Sequence, residues 1–316
     1  IGNAIEECKM LAERLDAPVC NGYQHNDSFP GSHPLAVGPL GYNGSKAAMQ
    51  LISKADVVLA LGTRLNPFST LPGYGIDYWP KNATIIQVDM NPDRIGLTKK
   101  VTVGICGDCK MVAKQISDKL SKDAGNDGRE ERKNLIHKTK SAWLQTLTGL
   151  DHEDDDPGTV WNKEARERDK DRMSPRQAWR AIQEAIPTGA IISSDIGNNC
   201  AIGNACPTFE EGRKYLAPGL FGPCGYGFPS ILGAKIGCPE TPVIGFAGDG
   251  AFGISMNEMS SCARKEWPAI TMVIFRNYQW GAEKRNSILW FDDNFVGTEL
   301  DPELSYAKVA NACGLK

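Results

Sequence analysis

The chain has 316 residues, 41% of them hydrophobic and 23% charged, the profile of a globular protein of about two domains at roughly 100–200 residues each. A formal net charge of −3 gives no electrostatic case for nucleic acid or an anionic membrane as a partner. The longest apolar runs, at 57–61 and 269–275, have the length of buried strands and fall far short of the ~18 residues that cross a bilayer.

The chain opens on Ile1 rather than methionine, and 2–16 already reads as a helix with Ile5, Met10, Leu11 and Leu15 as apolar positions. We therefore expect a fragment of a longer reading frame. Residues 17–20 read as a strand and 45–53 as a helix. The apolar run 55–61 reads as a buried strand ending in the turn Gly62-Thr63-Arg64, and 84–88 as another, ending at Asp89 before Asn91-Pro92. Continuous apolar strands separated by helices predict a parallel sheet covered on both faces.

Between a strand at 101–105 and a helix at 110–120 lies Cys106-Gly107-Asp108-Cys109. A helix N-terminus can lower a thiol pKa, but a zinc site would need two further ligands that the sequence does not supply nearby. A tight turn is the better reading. The ten cysteines follow no framework spacing, so reduced thiols in a cytoplasmic protein are expected.

From 122 to 132 nearly every residue is polar; a helix is expected at 133–147 and an acidic loop at 151–157. The charge run reads as a solvated linker. Ser174-Pro175 is a helix-start signal, an N-cap followed by proline at the first helical position, opening a helix at 176–186. Strands are expected at 190–194, 241–247 and 269–275, with helices at 229–236 and 255–265. The chain stops at 313–316, after an amphipathic helix and where a further strand is expected. The fold class predicted is α/β: two parallel-sheet three-layer domains, at 1–121 and 173–316, joined by a polar linker at 122–172.

The strongest chemical signal is Gly248-Asp249-Gly250, at the end of the apolar strand 243–247. Ligands of α/β proteins gather at the carboxyl ends of parallel strands, and glycine lets a backbone approach an anion closely. A lone Gly-Asp-Gly is equally what a simple turn requires. Here residues 251–276, holding one helix and one strand, bring the chain back to the same sheet edge at Asn277. A carboxylate and an amide oxygen then converge, oxygen ligands of the kind a hard divalent cation such as Mg²⁺ takes together with substrate phosphates.

This spacing resembles the signature of the thiamine-diphosphate-dependent enzymes. The resemblance implies Mg²⁺ held by Asp249, Asn277 and the main-chain carbonyl of Gln279, with Gly248, Gly250 and Ala251 also lining the cofactor. Arg276 stands where the family often carries a further asparagine. The stretch Gly222-Pro223-Cys224-Gly225-Tyr226-Gly227-Phe228-Pro229 resembles the segment that cradles the two cofactor rings. By that resemblance the Gly222 carbonyl meets the aminopyrimidine, and Cys224 takes the place of a bulkier apolar prop. Asp195-Ile196-Gly197-Asn198-Asn199 resembles the loop that hydrogen-bonds the diphosphate, which implies cofactor contacts from Ile196, Gly197, Asn198 and Asn199. Residues 55–64 and 84–93 resemble the family's middle domain, which holds a nucleotide in some members and nothing in others.

Longer stretches, at 27–45, 74–80, 95–108, 275–286 and 290–300, resemble the branch of the family that acts on a sulfonated aldehyde. That resemblance implies sulfoacetaldehyde and phosphate as substrates, with acetyl phosphate and sulfite as products. Glu283 then stands where relatives place an acid/base or orienting carboxylate. Arg276, Lys284 and Arg285 are candidate partners for sulfonate or phosphate oxygens; a solvated helix face is the alternative for 283–285, and packing the better reading for Trp280. The family's ylid-promoting glutamate comes from the N-terminal domain of a second subunit, absent from this chain, so a homodimer or homotetramer is expected. An acetolactate-synthase-like carboligase or decarboxylase acting on pyruvate, and a non-catalytic paralogue, remain the alternatives.

Overall fold

The computed structural model describes residues 2–149, 173, 175–219, 221–264 and 266–316. The chain divides into two compact units, one of Ile1–Ala185 with Asn204–Gly212 and one of Ile186–Gly203 with Arg213–Lys316.

Among the described residues of the first unit five strands form: β1 (Val19–Asn21), β2 (Ala36–Pro39), β3 (Val57–Leu61), β4 (Thr84–Asp89) and β5 (Val103–Cys106). All pair in parallel. They make two sheets, β1-β2 and β3-β4-β5, rather than one. β2 was not legible, because Gly38 and Pro39 interrupt its apolar pattern. The helix Lys46–Ile52 begins where the sequence expects it: the Ser45 hydroxyl accepts the Ala48 N–H at 3.2 Å, the usual satisfaction of a free first-turn donor. That helix buries Met49 and Leu51 in a core shared with Ala12, Tyr78 and Ile136. Each large apolar side chain removed from water contributes about 1.5–3 kcal/mol.

The polar stretch is not solvated throughout. The helix expected at 133–147 runs from Arg129 to Gly149 and buries Ile136. Arg129 pairs with Asp16 at 2.6 Å, and Arg132 donates to the carbonyls of Asp16 (3.0 Å), Leu15 (2.9 Å), Asp127 (3.1 Å) and Gly125. These arginines cap the end of the helix Ile5–Leu15, so the charges serve packing within this unit. The expected acidic loop at 151–157 lies outside the described residues, as does the expected N-cap Ser174 ahead of the helix Pro175–Ala185.

In the second unit, β6 (Ile191–Ser194), β7 (Tyr215–Leu216), β8 (Val243–Gly248) and β9 (Thr271–Phe275) form one parallel sheet in the order β7-β6-β8-β9. Its core holds Phe228, Ile231, Val243, Ala247, Phe252 and Met259. The register sets Ser194 opposite Phe246 and Gly248 opposite Phe275. Asp195, Asp249 and Asn277 therefore emerge along one carboxyl edge. One expectation is corrected here. The helix expected at 255–265 starts earlier, as Asp249–Ser255, tightens to a 3-10 turn at Met256–Glu258, and continues as Met259–Cys262. Among the described residues no helix is long and apolar enough to cross a membrane.

Candidate functional site

Asp249 is the first residue of its helix, with Gly248 as the extended N-cap. An acidic side chain is favoured there by the helix dipole. It is 2% exposed. Its carboxylate accepts the Gly250 N–H at 3.1 Å and the Tyr278 N–H at 2.7 Å, while its main-chain carbonyl accepts the buried Tyr306 hydroxyl at 2.7 Å. The second of these bonds joins the end of β8 to the segment after β9. It requires a sharp reversal at Tyr278, whose φ of 61° lies in the left-handed region, an uncommon position for a bulky residue.

Around that reversal the Asn277 side-chain oxygen accepts the Gln279 N–H at 3.2 Å. The Tyr278 carbonyl accepts the Leu300 N–H at 2.9 Å, and the Trp280 N–H donates to the Thr298 carbonyl at 2.8 Å. A Cβ added at Gly281 would stand 2.9 Å from the Asn277 amide nitrogen and 3.0 Å from that of Asn198, so the two amides close around this glycine. A Cβ at Gly250 would meet the Trp280 ring at 2.9–3.0 Å, which accounts for Trp280 as a packing residue.

The other two glycine-rich segments meet at Asp195. Fully buried at the end of β6, its carboxylate accepts N–H groups from Ile196 (2.8 Å), Gly225 (3.0 Å) and Gly227 (2.7 Å). Burial pushes this carboxyl up, and the main-chain donors of 225–227 and 196 draw it down. Gly222, at φ 66°, lies against the Ile196 side chain. Burial, followed by the Asp195 and Glu283 carboxylates, pushes the nearby Cys224 thiol up. Asn198 and Asn199 are not loop residues but the first turn of the helix Asn198–Ala205, where free N–H groups suit phosphate oxygens.

Glu283 lies in the first turn of the helix Gly281–Trp290. It lines a cavity of about 400 Å³ with Trp280, Asn286, Ser287, Phe291, Val296, Gly297 and Thr298. Two of the candidate cations, Lys284 and Arg276, are held as follows. Lys284 pairs with Glu299 at 2.6 Å. Arg276 donates to the carbonyls of Pro302 (2.9 Å) and Leu304 and stacks 4.4 Å from the Tyr278 ring centroid. Arg285 is exposed.

These residues fit a diphosphate-bearing cofactor with a hard cation. Asn199 is 8% exposed, and neither its amide nitrogen nor its oxygen has a protein partner. Leaving such groups unpaired costs about 1–3 kcal/mol each, a cost a bound ligand removes. A Cβ at Gly197 or Gly248 would meet nothing within 4 Å, so open space adjoins both segments. No three His, Cys, Asp or Glu side chains cluster as a metal site among the described residues. A cation here would take one carboxylate, one amide oxygen and one main-chain carbonyl, a donor set suited to Mg²⁺.

Sequence reasoning left Asp195, Tyr278 and Tyr306 off the candidate set, since nothing in a strand-terminal aspartate or an isolated tyrosine announces its hydrogen bonds. In the first unit the Cys106/Cys109 pair behaves as a turn. Both thiols are free, Asp108 caps the helix that begins at Cys109, and burial, then Asp108 and Asp89, push the Cys109 thiol up.

Two family descriptions match the chain: thiamine pyrophosphate enzyme, central domain, over residues 1–116, and thiamine pyrophosphate enzyme, C-terminal TPP binding domain, over residues 195–316. A probable sulfoacetaldehyde acetyltransferase of Rhizobium meliloti (strain 1021) is 78% identical over all of this chain and 54% of its own length. A sulfoacetaldehyde acetyltransferase of Roseovarius nubinhibens is 74% identical over all of this chain and 52% of its own. A probable acetolactate synthase large subunit of Methanococcus aeolicus is 27% identical over all of this chain and 51% of its own. The chain thus spans about half the length of the curated relatives it matches.

Proposed function

The chain belongs to the thiamine pyrophosphate enzymes, and on that premise we propose that this protein converts sulfoacetaldehyde and phosphate to acetyl phosphate and sulfite, in the breakdown of taurine and related sulfonates. The observation that carries the reading is identity. At 78% over the whole chain to a probable sulfoacetaldehyde acetyltransferase, against 27% to a probable acetolactate synthase, the similarity favours the sulfonated substrate over pyruvate.

Thiamine diphosphate, when bound, supplies a nucleophilic carbon and an electron sink. Asp249, Asn277 and the Gln279 carbonyl are proposed to hold Mg²⁺ against the diphosphate, with Gly248, Gly250 and Ala251 alongside. Ile196, Gly197, Asn198 and the unpaired Asn199 amide are proposed to hydrogen-bond the diphosphate oxygens. Gly222 and Cys224 are proposed to face the rings. Glu283 is proposed to orient the substrate or carry a proton from the wall of the cavity it lines. Arg276, Lys284 and Arg285 are proposed as partners for sulfonate or phosphate, and Arg276 and Lys284 would have to leave their present contacts to serve.

The proposed arrangement of the chain is a middle domain at 1–121, a joining segment at 122–172 and a cofactor domain at 173–316. The protein is proposed to work as a cytoplasmic homodimer or homotetramer, with the N-terminal domain of a second subunit completing the site. Exposed Ile288, Leu289, Trp290, Phe291 and Val296 support this, the last being 81% exposed; a contiguous apolar stretch of this kind marks a surface that another body covers.

The test uses the whole protein with thiamine diphosphate, Mg²⁺, phosphate and sulfoacetaldehyde, with sulfite and acetyl phosphate assayed together. Equal release of both, abolished by Asp249→Ala, is expected. Consumption of pyruvate with no sulfite released would leave the family and overturn the substrate.

A further inference from the structure

Asp195 carries a role that the cofactor contacts do not describe. It is 0% exposed, and no basic side chain offsets its charge among the groups that act on it. A buried carboxylate is costly unless hydrogen bonds replace its water, and here every donor is a main-chain N–H. They come from two segments far apart in sequence. One oxygen accepts from Ile196 at 2.8 Å and from Gly225 at 3.0 Å, and the other accepts from Gly227 at 2.7 Å.

The contact leaves no slack. A Cβ at Gly227 would stand 3.0 Å from the Asp195 Cβ and 3.1 Å from its Oδ2, so only glycine brings that N–H so close. One oxygen already reaches both segments, through Ile196 and Gly225, and the second adds Gly227, so the carboxylate holds the 222–228 segment at two points.

We propose that Asp195 is a positioning residue that locks the segment 195–199 to the segment 222–228, setting the distance between the site's diphosphate end and its ring end. This inference rests on the thiamine diphosphate reading above. Asp195→Asn keeps the shape but turns an N–H₂ either toward the Gly227 N–H or toward those of Ile196 and Gly225, so in both orientations one of the two bonds to the 222–228 segment is lost. A ligand spanning both segments then suffers, and a ligand held by the diphosphate end alone does not.

Mg²⁺-thiamine diphosphate and Mg²⁺-pyrophosphate would each be titrated calorimetrically into the whole protein, as wild type and as Asp195→Asn. The expected result is a loss of roughly tenfold or more for thiamine diphosphate, with pyrophosphate affinity changed by less than about threefold. Equal losses for both ligands would mean general damage and overturn the inference, as would no loss for either. Should Asp195→Asn fail to melt cooperatively, Gly227→Ala attacks the same lock from the other side and must give the same selective loss. A wild type that binds no thiamine diphosphate overturns the cofactor reading and this inference with it. A wild type that binds, beside an Asp195→Asn variant that binds as tightly, overturns this inference alone.

Discussion

Gly248 and Gly250 flank Asp249 symmetrically in the sequence but meet different surroundings. A Cβ at 250 would run into the Trp280 ring, whereas one at 248 would meet nothing within 4 Å. Gly250→Ala is therefore expected to destabilise the second unit by about 1–3 kcal/mol through overpacking, seen as a lower urea midpoint. Gly248→Ala, at a backbone conformation open to any residue (φ −72°, ψ 159°), should change stability by less than about 0.5 kcal/mol. Its added methyl enters the open space, so thiamine diphosphate affinity should fall instead. The glycines and Asp249 were legible because the motif is local. Tyr306, which holds the Asp249 carbonyl at 2.7 Å from far along the chain, was not. Nor was the fate of Arg276 and Lys284: sequence supplies the charge, but only the fold supplies the carbonyls and the carboxylate that occupy it.

At the level of elements, strands were read well and helix starts less well. Asp249–Ser255 was missed because Gly250 and Gly253 disfavour a helix. Both glycines are kept small by neighbours, Trp280 at one and the Tyr306 hydroxyl at the other, so tertiary packing overrides local preference. The helix Arg129–Gly149 makes the converse point. Its start reads as part of a solvated polar run, yet Arg132 binds two carbonyls at the end of the first helix, Leu15 and Asp16, and two in the turn before its own helix, Gly125 and Asp127. Arg132→Lys should not substitute, because an ammonium lacks the planar fork that reaches several acceptors together. A loss of about 1–3 kcal/mol in the first unit is expected, with a proteolytic cut near 125–129 appearing earlier than in wild type.

Over the whole molecule, half-buried thiols draw stability down at alkaline pH. Burial first, then Cys109 and Glu7, push Cys8 up to about 11, and burial followed by Glu258 does the same for Cys262; burial takes Cys20 to about 12. Their ordinary value is 9.0, so above pH 9 the unfolded chain releases protons that the folded chain keeps. Stability then falls as pH rises from about 9 to 11, and for Cys20 on to about 12, and is unaffected by these groups well below 9. Urea midpoints at pH 8 and pH 10.5 should show the fall, and Cys8→Ser should make it shallower. By itself the sequence determined the α/β class, most strands of both units and the Gly-Asp-Gly to Asn277 spacing, since strand periodicity and turn chemistry act over a few neighbouring residues. Only the tertiary structure decided that β1-β2 and β3-β4-β5 form separate sheets, that the polar stretch is tied down by arginines, and that Asp195 joins two distant glycine-rich segments. Those outcomes depend on which donors and acceptors meet across large sequence separations, and a buried polar group takes its partners from space rather than from its neighbours in the chain.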